Sequence, residues 1–196
     1  MRTLSGQILN AQWSPGQTTC PQCGRPAWRV PQSITLLYHV HEKFWPRVKP
    51  DVGTRKGFRF CPHLQCPVVY IHPEGEWLIT VDEVRTRIGY KVNEDPIPVC
   101  YCIGVLAETI RHEILVRRCC DSLKDIQKYT GARTGKWCHV TNPSGRCCGP
   151  LVQRVIEAAL RERVDVKTAE IVRTTAAAIP GNGDGEPSVQ DACCTL

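Results

Sequence analysis

Long apolar runs are missing from this 196-residue chain: none approaches the roughly 18 residues a spanning helix needs, so no membrane span is expected. The first residues, Met1-Arg2-Thr3-Leu4-Ser5-Gly6-Gln7, hold no apolar leader segment, so no secretory signal is expected and the chain reads as cytoplasmic. No phosphate-binding loop, dinucleotide glycine pattern, Ser/His/Asp set or carboxylate pair stands out, which leaves nucleotide and hydrolytic chemistry without support. Aromatic residues are few at 7%, and methionine occurs once, at Met1.

Cysteine is the outlier, with 13 residues, an odd number. In a reducing compartment, closely clustered cysteines read as metal ligands rather than as disulfides. The formal charge of +6 counts those cysteines as neutral. Four thiolates on one Zn²⁺, or four on an oxidised two-iron, two-sulfide core, each bring two negative charges, so filled sites lower the net charge to about +2. The basic balance then serves largely as counter-charge, and no nucleic-acid partner is expected.

The first half is rich in strand signals at Trp28-Arg29-Val30, Ser33 to Val40, Phe58-Arg59-Phe60, Val68 to Ile71 and Trp77 to Val81. Pro31, Pro46, Pro50, Gly53, Gly57, Pro73 and Gly75 punctuate them. Residues 93–98, polar with two prolines, read as a linker. Beyond it the pattern turns helical. Ile103 to Val116 places Val105, Leu106, Ile110, Ile114 and Leu115 at helical spacing. Ser122 with Asp125 marks a helix start and Gly131 a stop. Pro150 opens a helix with Val152, Val155, Ile156, Ala159 and Leu160 on one face, and a terminal helix is expected over 167–179. The expected fold class is α+β: a zinc-stapled small β domain over 17–95, a helical [2Fe–2S]-binding domain over 99–166, and a flexible tail over 180–196.

Cys20-Pro21-Gln22-Cys23-Gly24 is a chelating knuckle that supplies half of a tetrahedral site. Cys61 and Cys66, flanked by Pro62 and Pro67, offer the other half after about 37 residues of strand-rich sequence, with His63 in reserve. The plainest role for zinc here is to staple a domain too small to bury a sufficient core.

Cys100-Tyr101-Cys102 forms a Cys-x-Cys pair just before the expected helix, followed by Gly131 to Cys138 and Thr141 to Gly149, which contains Cys147 and Cys148. Four thiolates, two per iron, are what a [2Fe–2S] cluster requires, and the Cys-x-Cys pair can serve one iron while later cysteines serve the other. Gly131, Gly135 and Gly145 allow backbone N–H groups near sulfur, Arg133, Lys136 and Arg146 offset charge, and Trp137 can screen the cluster from water.

The string Cys-Tyr-Cys, then Gly-Lys-Trp-Cys-His-Val-Thr-Asn-Pro-Ser-Gly-Arg-Cys-Cys, resembles the N-terminal domain of CopZ-type copper chaperones, whose cluster half is similar to bacterioferritin-associated ferredoxin. The upstream knuckle and Cys-x₄-Cys pair match as well, and the resemblance spans roughly residues 17–165. It implies zinc ligands Cys20, Cys23, Cys61 and Cys66. It implies cluster ligands Cys100, Cys102, Cys138 and one of Cys147 or Cys148, with Cys148 preferred. Family chaperones follow this domain with a copper-carrying domain bearing a Met-x-Cys-x-x-Cys loop, which this chain lacks. The implied function is an iron–sulfur redox protein of copper or other soft-metal handling that reduces or sequesters copper. Its partners are the metal ions and an electron donor, metallochaperone or transporter protein. It is an electron-transfer or metal-binding protein rather than an enzyme. A plain ferredoxin-like electron-transfer protein is the alternative, and a zinc-ribbon binding module the next.

Three vicinal pairs remain to be placed. Cys147 and Cys148 belong to the cluster motif. Cys119 and Cys120 read as small buried hydrophobes. Cys193 and Cys194, at the end of the Gly-rich arm, are candidate soft-metal thiols suited to copper(I). His39, His41, His72, His112 and His139 read as surface or strand histidines, His139 also as a substitute ligand beside Cys138.

Overall fold

The computed structural model describes residues 17–54 and 57–177. The fold is mixed α and β. Among the described residues, four short strands, β1 (Trp28–Arg29), β2 (Arg59–Phe60), β3 (Val68–Ile71) and β4 (Leu78–Thr80), form an antiparallel sheet in that order. Phe60 pairs with Trp28 on one side and Tyr70 on the other. All four residues of β3 are buried, so this central strand is apolar on both faces.

The segment expected as a strand over Ser33 to Val40 is instead helix α1 (Ile34–His39). Its β-branched and aromatic residues favour a strand locally, but Thr35, Leu36, His39 and Val40 are the buried positions, a helical i, i+1, i+4, i+5 face. Helix α2 (Trp45–Val48) follows and closes the core of Phe58, Phe60, Tyr70, Ile79 and Val48.

The Cys-x-Cys pair lies in a hairpin rather than at a helix start. Strands β5 (Pro98–Cys100) and β6 (Val105–Leu106) pair antiparallel around a turn in which Gly104, at φ 77°, donates to the Cys100 carbonyl at 2.8 Å. Helix α3 (Ala107–Arg111) then widens into a π-helical turn over His112–Val116. Helix α4 (Leu123–Thr130) starts on a Ser122/Asp125 capping box and ends at Gly131 in the left-handed conformation, as the sequence predicts. A short helix α5 (Cys138–Thr141) precedes the long α6 (Gly149–Ala177). The two helices expected after Pro150 are thus one, because the sequence between them holds no glycine or proline to break it. Its buried face of Val152, Ile156 and Ala159 packs with Ile110, Ile114 and Ile126. The tail over 180–196 lies outside the described residues.

The two halves interlock through the 139–146 segment. Thr35 Oγ1 donates to the His139 carbonyl at 2.6 Å, Tyr70 OH to the Pro143 carbonyl at 2.7 Å, and the Arg146 guanidinium to the Arg29 carbonyl at 3.3 Å. Two of the histidines read as surface or strand residues, His39 and His72, lie fully buried. His39 donates from Nε2 to the Val140 carbonyl at 3.1 Å and accepts at Nδ1 from Thr86 Oγ1 at 2.8 Å. His72 donates from Nε2 to Asp51 at 3.1 Å and accepts from Glu74 N. Among the described residues no helix is long and apolar enough to cross a membrane.

Candidate metal centres

The first centre is built from two turns at one end of the sheet. In the Cys20–Gly24 knuckle, Cys20 N donates to the Arg25 carbonyl at 2.7 Å and Gly24, at φ 68°, donates to the Cys20 carbonyl at 2.8 Å. The chain folds back so that both thiols face one side. Cys61 is anchored to the end of β3 by donation from its N–H to the Val69 carbonyl at 2.9 Å, and Cys66 N donates to the His63 carbonyl at 3.2 Å. The sulfurs of Cys20, Cys23, Cys61 and Cys66 all lie within 4.8 Å of one another. The Cys20–Cys66 and Cys23–Cys61 separations are both 3.8 Å. A tetrahedral ion with metal–sulfur bonds of about 2.3 Å requires edges of about 3.8 Å. His63 stays outside the quartet.

The small core beneath these thiols consists of Cys20, Cys61 and Cys66 with only Ala27, Val68 and Ile71. Burial pushes the Cys66 thiol up to about 11, whereas the hydrogen bond from Cys20 pulls Cys61 down to about 5, assisted by the Lys91 ammonium. Lys91 Nζ also donates to the His63 and Cys66 carbonyls at 2.8 and 3.0 Å. It braces the second turn and brings a positive charge beside the thiols. Nothing in its sequence position, 25 residues beyond Cys66, announces this.

The second group of thiols is arranged in pairs. Cys102 Sγ and Cys138 Sγ are 3.5 Å apart. Cys100 and Cys148, both buried, share a hydrogen bond that pulls Cys100 down to about 6 and pushes Cys148 up. Each of these contacts joins a thiol of the hairpin to one of the 138–148 segment, and within that segment the sulfurs of Cys138, Cys147 and Cys148 all lie within 4.8 Å of one another. Cys147 is exposed and its Sγ accepts from Gly149 N at 3.4 Å, while its neighbour Cys148 faces the core.

The loop between α4 and α5 wraps these sulfurs. Arg133 N donates to Cys100 Sγ at 3.3 Å, and Thr141 Oγ1 lies 3.1 Å from Cys102 Sγ. Gly135 is demanded by close approach: a Cβ there would sit 2.6 Å from Cys102 Cβ. Arg133 and Lys136 hold left-handed backbone at φ 69° and 58°, strain that a non-glycine residue adopts only when its surroundings over-determine it. The buried Arg133 Nε has no acceptor among the described residues. Trp137, next to Cys138 in sequence, and Ile103, next to Cys102, are both exposed, at 64% and 43%. His139 directs its ring toward Trp137 at 5.8 Å and its carbonyl toward Thr35.

Cys119 and Cys120 do not form part of either group, and Cys193 and Cys194 lie outside the described residues. The family model described as "Zinc binding domain", of CopZ type, matches residues 17–85. Copper chaperone CopZ of Archaeoglobus fulgidus is 38% identical over 152 residues, 78% of this chain and 68% of the relative. The X-ray structure of that protein's N-terminal domain superposes with a TM-score of 0.58, covering 70% of this chain and 96% of the solved one at 38% identity.

Proposed function

The chain belongs to the CopZ copper chaperone family, and we propose that it is a metalloprotein of copper handling with a zinc site at Cys20, Cys23, Cys61 and Cys66 and a [2Fe–2S] cluster at Cys100, Cys102, Cys138 and Cys148. The one observation that carries this reading is that the thiols gather in two separate sets: Cys20, Cys23, Cys61 and Cys66 within 4.8 Å of one another, and Cys138, Cys147 and Cys148 likewise, with Cys102 against Cys138 and Cys100 hydrogen-bonded to Cys148.

The zinc assignment rests on donor chemistry. Four thiols with 3.8 Å edges fill a tetrahedron and leave no open position, the mark of a structural ion. The cluster assignment rests on the pairs and on the charge around them. A two-iron core takes two thiolates per iron, and its negative charge suits the orphaned Arg133 Nε and the donation from Arg133 N. When bound, such a cluster supplies a one-electron couple of the kind that converts Cu²⁺ to Cu⁺. The chain's own residues do the rest. Arg133 N–H and the Thr141 hydroxyl hydrogen-bond to sulfur and set the ease of reduction. Burial of Cys100 and Cys148 excludes water from the inner side, and the exposed Trp137 and Ile103, neighbours of Cys138 and Cys102, offer apolar surface to an electron donor or a metallochaperone or transporter protein. Cys193 and Cys194 are the thiols proposed to hold Cu⁺ once formed.

Protein purified without oxygen should be coloured and contain about two irons, with one zinc that survives a chelator wash. Reduced protein mixed with Cu²⁺ should reoxidise faster than with oxygen alone and yield Cu⁺. An iron-free preparation from iron-replete cells would sink the cluster reading. Normal iron with no copper-driven reoxidation would leave an electron-transfer protein serving a partner at the exposed Trp137.

A further inference from the structure

The π-helical turn at His112–Val116 interrupts the α3 region, and nothing in the two centres above uses it. Arg117 N donates to the His112 carbonyl at 3.0 Å, and Cys119 N reaches back to the Glu113 carbonyl at 3.2 Å. Arg118, at φ 53°, reverses the chain. Cys119 and Cys120 are thereby swung back onto the same turn. The result is a three-residue cluster in which a Glu113 carboxylate oxygen and the Cys119 and Cys120 sulfurs all lie within 4.8 Å of one another. Cys119 Sγ is 3.4 Å from Cys120 Sγ and 3.3 Å from Glu113 Oε2.

Glu113 is itself unusual. Its side chain is buried although carboxylates rarely are, and its charge is met by Arg117 Nη1 at 3.3 Å, with His112 Nδ1 at 3.8 Å from the other oxygen. Cys120 is fully buried and Cys119 half-buried, so the cluster opens to solvent through Cys119.

We propose that Glu113, Cys119 and Cys120 form a third metal site, taking a divalent ion of borderline softness such as Zn²⁺, with one coordination position open. The distances select the ion class. Two thiolates and a carboxylate on a tetrahedral ion need edges of about 3.6 to 3.8 Å, close to those present. A linear Cu⁺ site instead holds its thiolates on opposite sides of the metal, much farther apart than these two. Charge selects in the same direction. Two thiolates and a carboxylate leave one net negative charge around a divalent ion, which Arg117 offsets, and two around a monovalent one. The mixed sulfur and oxygen donors are likewise those of Zn²⁺ rather than Cu⁺. Three protein ligands and an open position distinguish this site from the closed quartet: its ion exchanges, and it can accept a ligand from a partner or solvent.

The test uses full-length protein with both other centres filled and with Cys193→Ser and Cys194→Ser introduced, so that tail thiols take no metal. Zinc and iron analysis of the same sample reports on those centres separately, because this proposal stands on different residues. Co²⁺ is the probe. One additional Co²⁺ per chain is expected, with tetrahedral ligand-field bands and sulfur-to-cobalt charge transfer about half that of a four-thiolate site. Cys119→Ser should abolish the uptake, and Glu113→Gln should weaken it roughly tenfold or more, both with unchanged circular dichroism. Uptake and spectrum unaltered by Cys119→Ser would overturn the proposal. So would recovery of Cys119 and Cys120 as a disulfide from anaerobically prepared protein.

Discussion

The two ends of the molecule spend cysteine in opposite ways. At the sheet, Cys20, Cys61 and Cys66 are buried and make up half of the buried residues of their own small core, beside Ala27, Val68 and Ile71. At the helical end, Cys102 and Cys138 are partly exposed, Cys147 is exposed, and a strained loop with two left-handed non-glycine residues curls over them. Sulfur stands in for hydrophobic core at the tip of the sheet, beside the larger core around Phe58, Phe60 and Tyr70, whereas in the second region Cys100 and Cys148 are only two of the fourteen buried residues that pack together. Metal should therefore be indispensable to folding at one end and to reactivity at the other.

Cys61→Ser against Cys102→Ser tests that contrast with the largest expected effect. Structural zinc contributes about 10–16 kcal/mol in zinc-finger peptides, as much as the whole stability of a typical domain. Cys61→Ser should lose the zinc and unfold the sheet end, read as loss of near-ultraviolet circular dichroism and protease resistance over residues 17–85. Cys102→Ser should lose iron and colour while retaining zinc and the fold. If both variants unfold alike, the asymmetry is wrong.

The seam between the regions offers the next effect, through pH. His39 is buried with its Nε2–H on the Val140 carbonyl, and burial pulls it down from its ordinary 6.5 to about 4. A depressed histidine favours the fold fully above pH 6.5, where both states are neutral. That contribution is lost as pH falls toward 4, because the unfolded chain takes up the proton first, by about 3 kcal/mol in total. Denaturant midpoints measured from pH 7 to 4 should fall more steeply for the natural protein than for His39→Gln. Parallel slopes would remove His39 from the account.

Gly135→Ala acts on the helical end alone. The added Cβ would meet Cys102 Cβ at 2.6 Å and Ile103 Cδ1 at 3.0 Å, so the hairpin or the loop must shift. Overpacking of this kind costs about 1–3 kcal/mol. The shift should spread the 3.5 Å Cys102–Cys138 pair, lowering iron content while zinc stays full. Unchanged iron would show that the loop is not what holds the pair.

What sequence reveals follows the range of the interactions. Helix α4 is legible because its start, stop and cap are all local: Ser122 with Asp125, then Gly131. The quartet of thiols at the sheet end is legible as two chelating pairs, since each turn places its own two thiols. Helix α1 is misread because Ile34, Thr35 and Tyr38 favour strands locally, and the decision is made by Thr35 and His39 bonding the His139 and Val140 carbonyls about a hundred residues away. The contact of Cys102 with Cys138 is hidden for the same reason, since it depends on how the β5–β6 hairpin meets the α5 segment. Lys91 and Glu113 carry no motif at all. Tertiary placement sets Lys91 against the Cys66 turn, and the π-helical turn with the Arg118 reversal, which no sequence signal announces, brings Glu113 against Cys119.

The smallest effect serves as the control on the whole comparison. Ser122 caps α4, its Oγ accepting from Asp125 N at 3.2 Å, on an exposed stretch between Cys120 and the wrapping loop. Ser122→Ala should cost about 1 kcal/mol, the usual loss for a cap. Iron and zinc contents should both stay full, because the cap touches neither set of thiols and α4 keeps its Ile126 anchor in the core and its Gly131 stop. A melting curve shifted by a few degrees with intact metal would fit a helical end whose fold stands on its own packing. Loss of iron on so slight a perturbation would mean that α4 tensions the loop over Cys100 and Cys102, and that fold and cluster at this end are as inseparable as sheet and zinc at the other.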